Sequence, residues 1–248
     1  MKNVVVLTTW GAPASSAYLK ALAQVPGIKL FPVYEKNEKI ERDIKRIYQE
    51  RFGELAPRFE PAEAILPQMG AASTTIEDLK NPETLKIIRS LDPDLIVLAG
   101  SGIVKEALLA IPRLGTLNCH PGILPRYRGC TTVEWAIYED QPVGATCHFV
   151  TPEIDAGDIV LKENFPIFSD DTYEGLRLRM FYFCAQVMAR AVDCVANQGS
   201  AIPLEKFDWS KAQYYKPIPP DLLKAVKEKL IAHDYRYQEI RQETPRKC

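Results

Sequence analysis

The segment "GTLNCHPGILPRYRG", residues 115–129, joins the end of an apolar run to rigid turn residues and polar side chains. Asn118 and His120 stand two positions apart, so on an extended chain their side chains point to the same face. Pro121 and Pro125 then restrict the backbone directly after them. Such a strand end is either a hydrogen-bonded turn or the edge of a functional site, and the segment alone leaves both interpretations open.

The sequence around this segment predicts an open α/β fold. "NVVVLTT" (3–9) and "LIVLAG" (95–100) are short apolar runs, typical of strands buried on both faces of a parallel sheet. Between such runs, "SSAYLKALAQV" (15–25) has helical spacing, with Ser15 or Ser16 as the expected N-cap. We therefore predict an open, mostly parallel sheet with helices on both faces.

The same patterns divide the chain. We place one catalytic α/β domain at 1–200 and a short C-terminal extension packed on it at 201–248. Residues 36–56 predict a charged, solvent-facing helix, and the proline-rich stretch 57–72 predicts a loop. A long amphipathic helix is expected over 170–199, and one charged helix over 221–232.

Composition narrows the function classes. Lys and Arg number 31 and Asp and Glu number 32, so no global charge favours a nucleic-acid or membrane partner. The apolar runs are much shorter than the roughly 18 residues of a membrane span, and the N-terminal stretch does not resemble a signal peptide. Six cysteines without a CxxC pair favour reduced thiols. These features predict a cytoplasmic protein and leave its oligomeric state open, with a homodimer as one option.

A second segment, "VGATCHFVTPEIDAGDIV" (143–160), adds a carboxylate after a strand. A carboxylate beside an imidazole raises its pKa, and an amide can hold a developing oxyanion. Asn118, His120 and Asp155 are thus the parts needed for acyl transfer without a covalent enzyme intermediate. We expect Asp155 to raise the pKa of His120, and we expect Asp158 and His148 to be structural.

These segments, with "DPDLIVLAG" (92–100), resemble the folate-dependent formyltransferases, a family that includes glycinamide ribonucleotide transformylase, methionyl-tRNA formyltransferase and sugar N-formyltransferases. The motif Asn-x-His-Pro-x-x-Leu-Pro followed by Asp-x-Gly is specific to them, and the likeness extends loosely over residues 1–200. The resemblance implies that Asn118, His120 and Asp155 are the catalytic trio. It implies a cis peptide at Leu124–Pro125. It also implies N10-formyltetrahydrofolate as the formyl donor, with its pterin held by Ser101, Gly102, Ile103, Val104, Val150, Pro152 and Glu153.

The resemblance implies formyl transfer to an amine of a small molecule, with an amino sugar nucleotide as one candidate. Glycinamide ribonucleotide is disfavoured, because the first strand–helix turn, "TTWGAPASSAY" (8–18), lacks a Gly/Ser/Asn-rich phosphate loop. Methionyl-tRNA is disfavoured because the chain looks too short for the family's tRNA-binding domain and has no strongly basic tail. The expected acceptor contacts are Arg126, Tyr127, Arg128 and Trp10.

Several alternatives stay open. A hydrolase-like enzyme that consumes formyltetrahydrofolate, a glycinamide ribonucleotide transformylase, and a catalytically silent folate-binding protein share the same motifs. A metal site is not expected, because one histidine and one carboxylate leave the usual ligand set unfilled. A nicotinamide cofactor is not expected either, because the first turn has no GxGxxG. Trp135, Tyr214 and Tyr215 are predicted to pack.

Overall fold

The computed structural model describes residues 1–52, 62–69, 72–198 and 202–239. Its central sheet of seven strands is parallel across the first five strands in spatial order and antiparallel at the last two, which form one edge. This confirms the prediction of an open, mostly parallel sheet. In spatial order the strands are β3 (Thr74–Ile76), β2 (Ile28–Glu35), β1 (Lys2–Thr9), β4 (Leu95–Ala99), β5 (Gly115–His120), β7 (Gly144–Phe149) and β8 (Ile159–Asn164).

Helices cover both faces of this sheet, and the packing of β1 shows why its residues 4–7 are all apolar. Val4 and Val6 pack in one core cluster, whereas Val5 and Leu7 pack in a second cluster on the opposite face. Successive strand residues alternate between faces, so burial on both sides needs a continuous apolar run. The helices are α1 (Pro13–Leu22), α2 (Glu38–Phe52), α3 (Ala62–Met69), α4 (Pro82–Ser90), α5 (Glu106–Leu109), α6 (Thr132–Tyr138), α7 (Tyr173–Gln198) and α8 (Pro220–Ile231).

Two local predictions were wrong. Helix α1 begins at Pro13 with Ala12 as N-cap, so neither Ser15 nor Ser16 caps it. The fixed φ of proline suits a first helical turn, and the Ser15 hydroxyl instead lies 2.5 Å from the Thr8 hydroxyl.

The other error concerns the proline-rich stretch 57–72. Residues 62–69 form α3, although Pro67 lies inside it. Ile65 and Leu66 are buried, and Leu66 joins the larger core cluster. Burial of this apolar face therefore outweighs the local effect of the proline, while 57–61, 70 and 71 lie outside the described residues.

Two short strand pairs, separate from the main sheet, join later chain segments to earlier ones. Strand β6 (Tyr127–Gly129) pairs in parallel with β10 (Gln213–Tyr215), and β9 (Ile167–Phe168) pairs with β11 (Gln238–Glu239). The first pair places residues from the C-terminal part of the chain beside the turn that follows β5. None of the described helices is long and apolar enough to cross a membrane.

Candidate active site

Cross-strand pairing builds one wall of the site. Strand β5 ends at His120 and runs antiparallel to β7, in a register that sets Asn118 opposite His148. The Asn118 Nδ2 atom lies 3.4 Å from the His148 Nε2 atom. From the sequence, His148 was expected to be structural. His148 lies beside Asn118 because its strand, β7, leads into the Asp155 loop and pairs antiparallel with β5. The sequence shows that a strand leads into this loop, but it does not specify the register of the pairing.

Asp155 lies between two histidines. Its Oδ2 atom is 3.3 Å from His120 Nδ1, and its Oδ1 atom is 3.8 Å from His148 Nε2. The backbone N–H of Gly129 donates to Asp155 Oδ2 at 3.0 Å. The carboxylate therefore joins the turn after β5 to the loop between β7 and β8.

The backbone around Asp155 explains the Asp-x-Gly pattern. Asp155 has φ of 49°, a left-handed conformation that Asp tolerates better than most residues. A Cβ atom added to Gly157 would lie 1.7 Å from the Phe149 carbonyl oxygen, so the loop closes only with glycine there. The loop thus presents its carboxylate through a tight, glycine-dependent turn.

His120 is enclosed by the turn that follows it. The side chain is 4% exposed, and its Nε2 atom lies 2.7 Å from the Tyr127 carbonyl oxygen. Its other ring nitrogen faces Asp155. A neutral imidazole can donate from only one nitrogen, so uptake of a proton would complete both hydrogen bonds.

Burial nevertheless lowers the pKa of His120, although the Asp155 charge and the Tyr127 carbonyl both act to raise it. Asp155 therefore acts in the expected direction, but the expectation that the pKa of His120 lies above its ordinary value was wrong. The reason is that loss of solvation penalises the imidazolium more than one carboxylate stabilises it.

The pKa of Asp155 moves down. Burial raises it, but attraction to the His120 and His148 imidazoles and the hydrogen bond from the Gly129 N–H outweigh burial and lower the pKa to about 2. This attraction presupposes a charged His120, whereas burial keeps His120 neutral near pH 7. We favour an ionised Asp155 beside a neutral His120, because the Gly129 N–H supports the carboxylate in either state.

A cavity of about 190 Å³ opens beside this cluster. Asn118, His148 and Asp155 line it, whereas His120 does not. The loop after β4 and the loop after β7 form the other walls. All the residues expected to hold the donor line this cavity, namely Ser101, Gly102, Ile103, Val104, Val150, Pro152 and Glu153.

The chemistry of the cavity fits a flat heterocycle. Leu98, Val104 and Ile154 offer apolar surface. The Ser101 hydroxyl oxygen is buried, and no described residue forms a hydrogen bond with it. Buried hydroxyl groups normally have a partner, which a ring nitrogen or carbonyl of a bound pterin would supply.

The expected acceptor contacts are not all available. The Tyr127 side chain is 2% exposed and its hydroxyl donates to Glu139 at 2.9 Å, so it does not reach an acceptor. Arg126 pairs with the same carboxylate at 3.1 Å. Arg128 donates to the Ile154 carbonyl oxygen from two nitrogens, at 3.0 and 2.6 Å.

Trp10 follows β1, where its ring lies edge-on to Tyr34 with centroids 5.6 Å apart. It does not line the cavity that Asn118 and Asp155 share. The Lys36 ammonium lies 4.4 Å from the centre of the Trp10 ring. The first strand–helix turn therefore presents an aromatic ring and a cation.

The remaining candidates have structural contacts. Asp158 pairs with Lys206 at 2.6 Å, and the Trp135 indole N–H donates to the Lys216 carbonyl oxygen at 2.9 Å. The Leu124–Pro125 peptide is cis. In the described part of the chain, no group of three or more His, Cys, Asp or Glu side chains is placed to hold a metal ion.

The sequence of this chain is similar to those of known formyltransferases. A family profile described as "Formyl transferase" matches residues 35–192. A methionyl-tRNA formyltransferase of Citrifermentans bemidjiense is 34% identical over 150 residues, which are 60% of this chain and 47% of that protein. One from Caldanaerobacter subterraneus subsp. tengcongensis is 29% identical over 192 residues, or 71% and 61% of the two chains. This chain thus spans less than two thirds of the length of these relatives.

Solved structures share the fold. A sugar N-formyltransferase from Shewanella sp FDAARGOS_354 has a TM-score of 0.61 at 20% identity, covering 98% of this chain and 94% of that chain. Glycinamide ribonucleotide transformylase 1 from Symbiobacterium toebii has a TM-score of 0.60 at 20% identity, covering 84% and 95%. The family profile covers more than half of the sequence and includes Asn118, His120 and Asp155. The chain therefore belongs to the formyl transferase family.

Proposed function

We propose that this protein transfers a formyl group from N10-formyltetrahydrofolate to an amine of a small-molecule acceptor. One observation carries the proposal: Asn118 and Asp155 line the same cavity as the two expected donor loops, and Asp155 belongs to one of these loops. Family membership supports a formyl donor, and the apolar walls with the unsatisfied Ser101 hydroxyl suit a pterin.

The reaction forms a bond between the amine nitrogen and the formyl carbon. The bond from that carbon to the donor nitrogen breaks, and a proton passes from the amine to the donor nitrogen. As charge develops on the formyl oxygen, the Asn118 amide donates a hydrogen bond to it. One Asn118 N–H faces His148 Nε2 and the second is free to donate, because an amide group carries two.

Asp155 and His120 handle the proton. An ionised Asp155 faces the cavity and accepts the proton that the attacking amine loses. His120 lies behind Asp155, and a charge on its ring would complete the hydrogen bonds to Tyr127 and Asp155. His120 therefore acts through Asp155, as a positioning residue and a reserve site for the proton.

Two observations bear on which amine is the acceptor. The turn after β1 contains Pro13, which has no N–H, and the bulky Trp10, so it offers few donors to a phosphate. This favours an acceptor other than glycinamide ribonucleotide. The Shewanella sugar N-formyltransferase fold extends over 98% of this chain, which supports an amino sugar nucleotide as the candidate acceptor.

The test is a transfer assay with the full chain. Formyltetrahydrofolate is incubated with amino sugar nucleotides, glycinamide ribonucleotide or methionyl-tRNA, and tetrahydrofolate release is followed by absorbance. We expect release to need an amine and to fall in Asn118→Ala. Release that is equally fast without any amine would assign a hydrolase, and failure of the donor to bind would overturn the proposal.

A further inference from the structure

Glu35 is a nearly buried carboxylate outside the group of side chains that carries the proposed reaction. It is the last residue of β2 and lies opposite Thr9 in the parallel pairing with β1, so it stands at the carboxyl ends of these strands. Only 5% of the residue is exposed. Ligand sites of open α/β sheets form along this edge. The carboxylate therefore lies where ligand binding can depend on it.

Only one oxygen of the Glu35 carboxylate has a hydrogen-bond donor among the described residues. The Leu79 N–H donates to Oε1 at 3.2 Å, and no described residue donates to Oε2. The Lys36 ammonium lies 4.4 Å from the centre of the Trp10 ring and forms no ion pair with Glu35 in the described part of the chain. Carboxylates at this depth are normally paired, so Oε2 is an acceptor that the described residues leave open.

The surroundings of Glu35 disfavour its charge. Burial raises its pKa above the ordinary value of a glutamate, and the opposing action of the Leu79 N–H does not cancel this effect. The Asp78 charge also raises the pKa, whereas the Lys80 charge lowers it. Asp78 and Lys80 follow β3, and both are exposed. A further hydrogen bond to Oε2 would stabilise the ionised form, so this oxygen gains from a donor that moves toward it.

The open oxygen faces the loop after β4, which is the first of the two donor loops. A Cβ atom added to Gly102 would lie 3.9 Å from Glu35 Oε2, and no other atom beyond its chain neighbours lies within 4 Å of that position. Gly102 also lines the donor cavity. Glycine allows peptide rotations that other residues resist. The Gly102 peptide therefore has both the room and the freedom to turn toward the carboxylate.

This loop is held by few hydrogen bonds. The Thr9 hydroxyl donates to the Gly100 carbonyl oxygen at 3.1 Å and fixes the start of the loop. None of the backbone N–H groups of residues 101–104 donates to a described residue. Ile103, in the middle of the loop, is 73% exposed. Unpaired donors thus lie beside the unpaired acceptor of Glu35.

Glu35 itself is anchored on several sides. The Trp10 N–H donates to the Glu35 carbonyl oxygen at 2.9 Å, and the Lys36 N–H donates to the Ile76 carbonyl oxygen at 2.8 Å. The Leu79 N–H holds Oε1. Because the carboxylate is fixed and the loop is not, a bond between them would form by movement of the loop.

We propose that Glu35 positions the donor loop: when the formyl donor binds, the Gly102 peptide turns its N–H to Glu35 Oε2 and the loop closes on the pterin. This inference rests on the proposed formyl transfer and adds a residue outside the donor cavity that sets donor affinity. Glu35 touches neither the donor nor the reacting amine, so it acts through the loop.

The hydrogen bond links donor affinity to the protonation of Glu35. The ionised carboxylate accepts from the loop at full strength, whereas the protonated acid is a weaker acceptor. Affinity should therefore be highest above the pKa of Glu35 and should fall as the pH drops through it. Because this pKa is raised above 4.5, the fall begins at a higher pH than an exposed glutamate would give. Asp155, with a pKa of about 2, stays ionised over this range.

Titration calorimetry of the full chain with 10-formyl-5,8-dideazafolate, from about pH 4.5 to about pH 8, tests the link without an acceptor. We expect the affinity of wild type to fall about tenfold toward the acid end. Glu35→Gln keeps the shape of the side chain without its charge. It should bind about tenfold more weakly than wild type at the upper pH and lack this fall, so that the two proteins converge at low pH.

Two neighbouring charges give a second readout. Asp78→Asn should move the fall in affinity to lower pH, and Lys80→Gln should move it to higher pH, each by about 0.2–0.5 pH unit. These variants leave Glu35 in place, so they decide the question even if Glu35→Gln does not fold. Glu77→Gln is the matched control, since this exposed carboxylate also follows β3, and it should change neither affinity nor pH dependence.

The outcomes separate this inference from the proposed function. If wild type and Glu35→Gln share one pH dependence, or if Asp78→Asn and Lys80→Gln shift it in the same direction, Glu35 does not position the loop. Binding of the analogue in that experiment would leave formyl transfer standing. If wild type binds no folate analogue at any pH, the proposed function and this inference both fail.

Discussion

His120 and His148 face the same carboxylate from neighbouring antiparallel strands, yet their surroundings differ. His120 is enclosed by its own turn, with one ring nitrogen toward the Tyr127 carbonyl and the other toward Asp155. His148 lines the cavity, with Nδ1 2.9 Å from the Phe149 carbonyl oxygen and Nε2 toward Asn118 and Asp155. The histidine that stands in the recognisable motif is therefore not the one nearest the cavity.

The difference shows that two imidazoles of equal intrinsic chemistry acquire separate tasks from their hydrogen-bond partners. In the proposed mechanism, His120 acts on the charge and position of Asp155 from the side away from the cavity. His148 orients the Asn118 amide and contacts Asp155 from the cavity side. Asp155 is the group they share, so substitutions at these positions should have effects of graded size.

Asp155→Asn should have the largest effect, because it removes the carboxylate that both histidines face while keeping its shape. Loss of a general base typically costs about 100- to 10,000-fold in rate, and we expect turnover to fall in this range. Steady-state assays with saturating donor and acceptor would measure it. Asp158→Asn is the matched control, since that carboxylate pairs with Lys206, and it should stay within a few-fold of wild type. Equal losses of turnover in both variants would show that Asp155 is not the carboxylate on which the reaction depends.

His120→Ala should come next, with a loss of about 100-fold in turnover, because it removes the residue that positions Asp155 and can take up its proton. This variant also leaves the buried Tyr127 carbonyl without its partner, so the free energy of unfolding should fall by about 1–3 kcal/mol. Turnover and urea unfolding, measured on the same preparation, would check both effects. A stable His120→Ala with near wild-type turnover would show that the enclosed histidine is dispensable.

His148→Ala should cost less, about tenfold or less in turnover, because it loosens one hydrogen bond to Asn118 and leaves the Asp155–His120 pair intact. The ratio of turnover in His148→Ala to turnover in His120→Ala measures how the contributions of the two histidines differ. His233→Asn, a change at an exposed histidine, serves as the control and should be neutral. A larger loss at His148 than at His120 would reverse the assigned order.

The smallest expected effect at neutral pH is a shift in the acid limb of the kcat/KM profile, which is the pH range where activity falls as the pH decreases. Burial lowers the pKa of His120 below 6.5, and a neutral His120 is required, so activity should fall only as the pH drops below that value. The Asp155 charge acts to raise this pKa. The residual activity of Asp155→Asn should therefore show its acid limb at a lower pH than wild type. An acid limb above pH 6.5 in wild type would show that the Asp155 charge outweighs burial, and an alkaline limb there instead, with activity lost as the pH rises, would mean that the imidazolium is the working form.

Local sequence was sufficient for much of the fold and for part of the site. Continuous β-branched runs predicted strands buried on both faces, as β1 and β4 are. The spacing of Asn118 and His120, with the Asp-x-Gly turn at Asp155, marked the groups that meet at the ends of the strands. These signals are readable because strand periodicity, turn chemistry and glycine requirements depend on residues close together in the chain.

Only the tertiary structure decided the rest. The antiparallel register of β5 and β7 brought His148 to Asn118, and the pairing of β10 with β6 brought Trp209 and Tyr214 to Arg128. Burial reversed the expected direction of the His120 pKa, and packing of Ile65 and Leu66 made a helix of residues 62–69. Strand register, desolvation and core packing are set by residues far apart in the chain, so no local pattern specifies them.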